Sequence, residues 1–164
     1  MRGLPMLLAT VLLAPPVVWA QDAVVTTLGR QVLARPDAPV VATTSNARAA
    51  YVLHCSGCHG IDGSGLPASY VPGLQRLGDF LRVPGGRDFV VKVPGVMNSG
   101  LDDAQVADVT NWLLATIARD STPRGHQPYA AADVARVRAA TLPDVMAERA
   151  RLQALARQQG LTIH

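Results

Sequence analysis

Two cysteines in the whole chain, Cys55 and Cys58, stand two residues apart and are followed directly by His59. A Cys-x-x-Cys-His run admits few chemistries. It could close a small disulfide, supply half of a zinc site, or tether a planar cofactor. Zinc needs a second pair of ligands at comparable spacing, and none follows. A thioredoxin-type redox pair would lie in a βαβ pattern, and no such pattern surrounds these residues. A disulfide and a tethered cofactor stay open.

The N-terminus bears on that choice. Arg2 is followed by an almost wholly apolar stretch from Leu4 to Val18, and Val18-Trp19-Ala20 offers a small-residue cleavage site. Residues 1–20 are therefore expected to be a cleaved signal peptide, leaving a mature chain that begins at Gln21 and lies in the periplasm. The apolar run falls short of the roughly 20 residues a membrane span needs, and Pro15-Pro16 interrupts it. An uncleaved anchor is the alternative. No later segment is long and apolar enough to cross a bilayer, so the mature protein is expected to have no integral span. The formal charge of +3 gives no case for nucleic acid.

Past an extended leader at 21–45, with Pro36 and Pro39, Ser45 or Asn46 could cap a helix over Ala47–Leu53 that leads into the motif. Residues 60–83 read as loop, punctuated by Gly63, Gly65, Pro67, Pro72 and Gly73. A short helix is expected over Gly86–Val91, then a loop, Val96–Leu101, containing Met97. The clearest helix runs from Asp103 to Ile117. Asp102 and Gln105 form a capping-box pattern, and Val106, Val109, Leu113 and Ile117 recur at helical spacing. Two further helices, at 130–139 and 143–158, follow a polar linker. Residues 119–164 hold seven arginines against four acidic residues, which reads as a solvated face.

Cys-x-x-Cys-His is the attachment pattern of haem. Thiols at this spacing can reach the two vinyl groups on one edge of a porphyrin, and the adjacent imidazole is then placed to bind iron. Export suits such attachment. The expected cofactor is one haem c, bound through Cys55 and Cys58, with His59 on the metal.

With these residues in place, the chain resembles the class I, monohaem c-type cytochromes from about Ala47 to Ile117. Ala47 and Tyr51 resemble the small residue and aromatic of that family's N-terminal helix, and Trp112 the aromatic of its C-terminal helix. The resemblance implies an all-α, cytochrome c-like fold around one haem, with the haem domain at 46–119 and an extra helical C-terminal extension at 120–164. It implies that the Pro72 carbonyl accepts a hydrogen bond from His59, raising the basicity of the ligand; otherwise Pro72 is a turn residue. It implies a methionine as the other iron ligand, and Met97 lies where the family places one, although Asn98-Ser99-Gly100 departs from the rigid turn that often follows. Met146 lies in the tail. His126 in the linker, or an open position, are the alternatives at the iron.

Arg82, Arg87 and Lys92 are candidates to pair with the haem propionates, or are plain surface charge. A six-coordinate haem leaves no vacancy for substrate. The expected function is thus one-electron transfer and not catalysis, between a dehydrogenase or respiratory donor and a terminal acceptor. Its partners would be a periplasmic dehydrogenase, reductase or oxidase, with a monomer by default. Two alternatives remain open: a dedicated cytochrome subunit of a larger oxidoreductase, using the tail to clamp or dock, and a sensor or enzyme with an open iron position.

Overall fold

The computed structural model describes residues 44–163, with the side chains of residues 44 and 45 left aside. The signal-peptide and leader expectations fall outside this range, except that residues 44 and 45 open the first helix. The described residues are helical, with one isolated bridge between Leu66 and Val71 and no strand.

Helix α1, Thr44–His54, carries Ala47 and Tyr51 one turn apart on its buried face. Its start at Thr44 puts Ser45 and Asn46 inside the helix. The one-turn helix α2, Ser56–His59, holds the second half of the motif. Two 3-10 turns follow, at Pro67–Ser69 and Leu77–Arg82, then α3, Gly86–Lys92, and α4, Pro94–Met97. Met97 therefore ends a helical turn instead of lying in a loop. Pro94, with its fixed φ, opens that turn. Helix α5, Asp103–Ala115, starts in a full capping box: Gln105 N–H donates to Asp102 Oδ1 at 2.8 Å, and Asp102 N–H donates to Gln105 Oε1 at 3.0 Å.

The organising contact is α1 on α5. Ala47 and Tyr51 are buried there, and the Tyr51 ring lies 5.2 Å from Trp112 in a tilted pair. Such a pair contributes about 0.5–1.5 kcal/mol beyond the area it buries. The Tyr51 hydroxyl donates to the Gly60 carbonyl, tying this crossing to the end of the motif. Burial raises the Tyr51 pKa, followed by the effects of Cys55 and Asp62, so the hydroxyl stays a donor.

The C-terminal extension packs on the same core. Helix α6, Ala131–Arg138, lies against α5 and α3, and α7, Val145–Gln158, lies against α3. Charge and hydrogen bonds fasten it. Arg136 grips Asp88 with two contacts, at 3.0 and 3.2 Å. Arg138 reaches Asp103 at 2.9 Å, the Leu101 carbonyl at 3.0 Å and the Met97 carbonyl at 3.2 Å. Arg87 donates to Asp133 at 3.1 Å and lies over the Tyr129 ring. Asn111 holds both backbone groups of Tyr129, donating to its carbonyl at 2.9 Å and accepting from its N–H at 2.8 Å. The linker is pinned as well: Ser121 Oγ donates to the Gln75 carbonyl and accepts from Gly78 N–H, at 3.0 and 3.1 Å.

Between the motif and α3, the chain turns back on itself so that the Pro72 segment lies beside Gly65. Gly65 has φ +76°, and a Cβ there would come within 2.6 Å of the Val71 carbonyl oxygen and of the Pro72 carbonyl carbon. The Gly65 N–H donates to the His59 carbonyl at 2.8 Å. One glycine thus holds the loop to both the motif and Pro72.

Asn111→Ala should destabilise the fold by about 1–3 kcal/mol, because it strands the backbone groups of Tyr129; urea unfolding of the purified protein measures this. Gly65→Ala should cost more than the ~1 kcal/mol of an unstrained glycine exchange, since φ and contact both oppose it; thermal unfolding reads the loss. Asp133 is held below the usual carboxylate range, first by the Ala130 N–H and then by Arg87. The stability it gives is complete above that range and is lost as pH falls through the depressed value. Asp133→Asn should therefore lower Tm at neutral pH and weaken the fall of Tm on acidification, which a pH series of melts would reveal.

Candidate functional site

A cavity of about 640 Å³ lies between the motif, the Pro72 loop, α3, α5 and α7. That is within the range of small-molecule and cofactor pockets, about 300–1,000 Å³. Its walls are mostly apolar: Leu74 and Val71 from the loop, Phe80 and Phe89 stacked at 5.2 Å, and Val106, Val109 and Leu113 from α5.

The motif forms another wall. Cys55, Cys58 and His59 all line the cavity, and both cysteines carry free thiols. Cys55 ends the last turn of α1, its N–H donating to the Tyr51 carbonyl at 2.9 Å, and its own carbonyl receives the N–H groups of Cys58 and His59 at 3.2 and 3.0 Å. The motif is thus wound tightly on the end of α1, with both thiols and the imidazole along one wall. Burial pushes the Cys55 thiol pKa up, and Cys58 adds to the shift. Cys58 is exposed, and so is Tyr70, at 93%. This edge is where solvent meets the cavity.

His59 Nδ1 lies 3.0 Å from the Pro72 carbonyl oxygen. A carbonyl only accepts, so Nδ1 bears the proton and donates, and Nε2 keeps its lone pair. An imidazole in this tautomer, with its ring orientation fixed, is what a metal ligand requires. Cys55, Cys58, His59 and Pro72 therefore meet at one place.

Met97 does not line this cavity. It is half-buried at the end of α4, and its carbonyl is held by Arg138. Ser99, two residues on, lines the wall instead. His126 is also absent from the lining. Arg82 is directed to the Ser121 carbonyl, and Arg87 to Asp133 and the Gln127 and Pro128 carbonyls. Neither arginine lines the cavity, and nor does Lys92.

Three residues of α7 do line it: Val145, Met146 and Arg149. The Arg149 guanidinium lies over the rings of Phe80 and Phe89, at 5.4 and 5.7 Å from their centres. The signal for these residues is weak in sequence. Val145 and Met146 belong to an ordinary amphipathic pattern, and only the packing of α7 on α3 brings them to the motif.

The apolar walls, two thiols on one edge and an oriented imidazole fit covalent haem. Comparison with known proteins agrees. The family model described as Cytochrome c matches residues 45–116. Two relatives named cytochrome c-552, one from Thermus thermophilus and one from a particular strain of that species, are each 29% identical over 118 residues. The alignments cover 60% of this chain, and 90% and 80% of the relatives. Residues 45–116 coincide with the stretch that builds α1, the motif, the Pro72 loop and α5, and through this domain the chain belongs to the cytochrome c family, as a haem-based electron carrier.

Proposed function

We propose that this chain is an exported, periplasmic one-electron carrier with one haem c. Cys55 and Cys58 would hold the haem as thioethers, and His59 Nε2 and a methionine would bind its iron. The observation that carries this reading is the cavity wall on which Cys55, Cys58 and His59 meet, with His59 Nδ1 donating to the Pro72 carbonyl at 3.0 Å. Haem bound here supplies the Fe(III)/Fe(II) couple.

The protein's own part is to hold that couple still. Leu74, Phe80, Phe89 and the α5 face exclude water from most of the cavity, and low polarity favours the less charged, reduced state. The Pro72 carbonyl increases the basicity of His59 and fixes its ring, so the ligand has little to rearrange as charge changes. Among the described residues no Asp, Glu or Lys lines the cavity, which supports a carrier over an acid–base catalyst.

The approach to the site is by the Cys58 edge. Leu53, Ile61 and Leu66, adjoining the motif in the chain, are exposed apolar residues, and Pro67 and Ala68 are exposed beside them. A donor such as a dehydrogenase and an acceptor such as a reductase or oxidase would meet this edge in turn. Small interfaces suffice for such encounters. The extension spends the inner faces of α6 and α7 on its own core. That weighs against the tail as a docking arm for a larger oxidoreductase.

The double substitution Cys55→Ala/Cys58→Ala should abolish haem that survives denaturing electrophoresis, read by haem staining. Haem still covalently held in the double variant would contradict the proposal.

A further inference from the structure

We infer that the methionine ligand of the iron is Met146, supplied by the C-terminal extension, and not Met97. The inference rests on the haem reading above.

Four observations carry it. Beyond the motif cysteines, the described residues hold two sulfur atoms, those of Met97 and Met146, and only Met146 lines the cavity. Met146 is 68% exposed, although α7 buries Leu152 and Ala156 completely. A large apolar side chain near the inner face of a packed helix, bordering a cofactor-sized space, is covered once that space is filled. Met97, by contrast, is placed by its own turn. The N–H of Met97 donates to the Val93 carbonyl at 3.0 Å, Asn98 N–H donates to the Pro94 carbonyl at 2.9 Å, and Arg138 holds the Met97 carbonyl at 3.2 Å. To bring its sulfur to the iron, α4 would have to unwind and release Arg138.

The fourth observation is that α7 is a fixed element. Asp144 caps it, accepting from Ala147 N–H at 2.9 Å, so Met146 stands in a secured first turn. Arg149, one turn on, also lines the cavity and lies over Phe80 and Phe89. Both are thus held on the wall that α3 and α7 build together, whereas His59 is held by the Pro72 loop. A thioether is a neutral, soft donor, and its Sδ lone pair can bind iron without any proton transfer.

The extension then has a role in the chemistry. Its packing, through Arg136–Asp88, Arg138–Asp103 and Asn111–Tyr129, sets where the sulfur stands.

The test uses the mature holoprotein, labelled with methyl-13C methionine, and its Met97→Leu and Met146→Leu variants. Leucine keeps the bulk of each side chain with small loss of stability. In the reduced protein, a methyl on an iron-bound sulfur sits over the haem ring and is shifted far upfield. The expected result is one such resonance in the parent protein, retained in Met97→Leu and lost in Met146→Leu. The oxidised near-infrared sulfur-to-iron band should follow the same pattern, and carbon monoxide should bind reduced Met146→Leu more readily. Loss of the shifted methyl in Met97→Leu alone would overturn the inference. So would a parent protein with covalent haem but no shifted methyl, which would have an open iron or a second imidazole. A parent protein without covalent haem would overturn the proposed function and, with it, this ligand. If Met146→Leu fails to fold, Met146→His separates ligand from packing: a lowered potential with the methyl lost supports the inference, and an unchanged spectrum opposes it.

Discussion

The crossing of α1 on α5 is the contact on which the rest depends. Ala47 and Tyr51 bury one face of α1 against α5, and Tyr51 meets Trp112 there. Because the motif is wound onto the last turn of α1, this crossing aims both thiols and His59 at the space beside the apolar face of α5. The Tyr51–Gly60 hydrogen bond closes the far end of the motif onto the same helix. From Gly60 the chain returns past Gly65, whose missing Cβ admits the Pro72 segment to hydrogen-bonding distance of His59. Helix packing, motif and ligand orientation are thus one chain of contacts.

The extension completes this arrangement. Electrostatics alone would not hold α6, since pairs such as Arg136–Asp88 lie at the surface, where each contributes little. What gives them weight is the company they keep. Val134, Val137, Leu152 and Ala156 are buried beneath them, and Asn111 satisfies the backbone of Tyr129 at the join. The cavity therefore has a wall from a segment that lies beyond the family match at 45–116.

Much of this was legible in the sequence, where the information is local. The Asp102–Gln105 capping pattern, the apolar spacing of α5 and the winding of Cys-x-x-Cys-His depend on residues a few places apart. The Ala47–Tyr51–Trp112 relation was accessible through family resemblance. The rest depends on tertiary packing. The turn Leu77–Arg82 has no apolar period to announce it, yet it buries Phe80 into the cavity wall. The arginines of the extension read as solvent-facing charge, but Arg136 and Arg138 bind α3 and the start of α5. Met97 stands in the sequence where a ligand is expected, while Met146 stands at the cavity. Distance along the chain could not separate them, because α7 reaches the site only through its packing on α3.

The most direct test of the central claim is a spectroelectrochemical titration of the purified mature protein, following the haem absorption bands as the potential is stepped down and back. The account predicts a single, reversible one-electron transition with overlapping reductive and oxidative curves, as fixed ligands and dry walls require. A haem that exchanges ligands on reduction, with hysteresis or a second transition, or a protein with no redox-active haem, would contradict it.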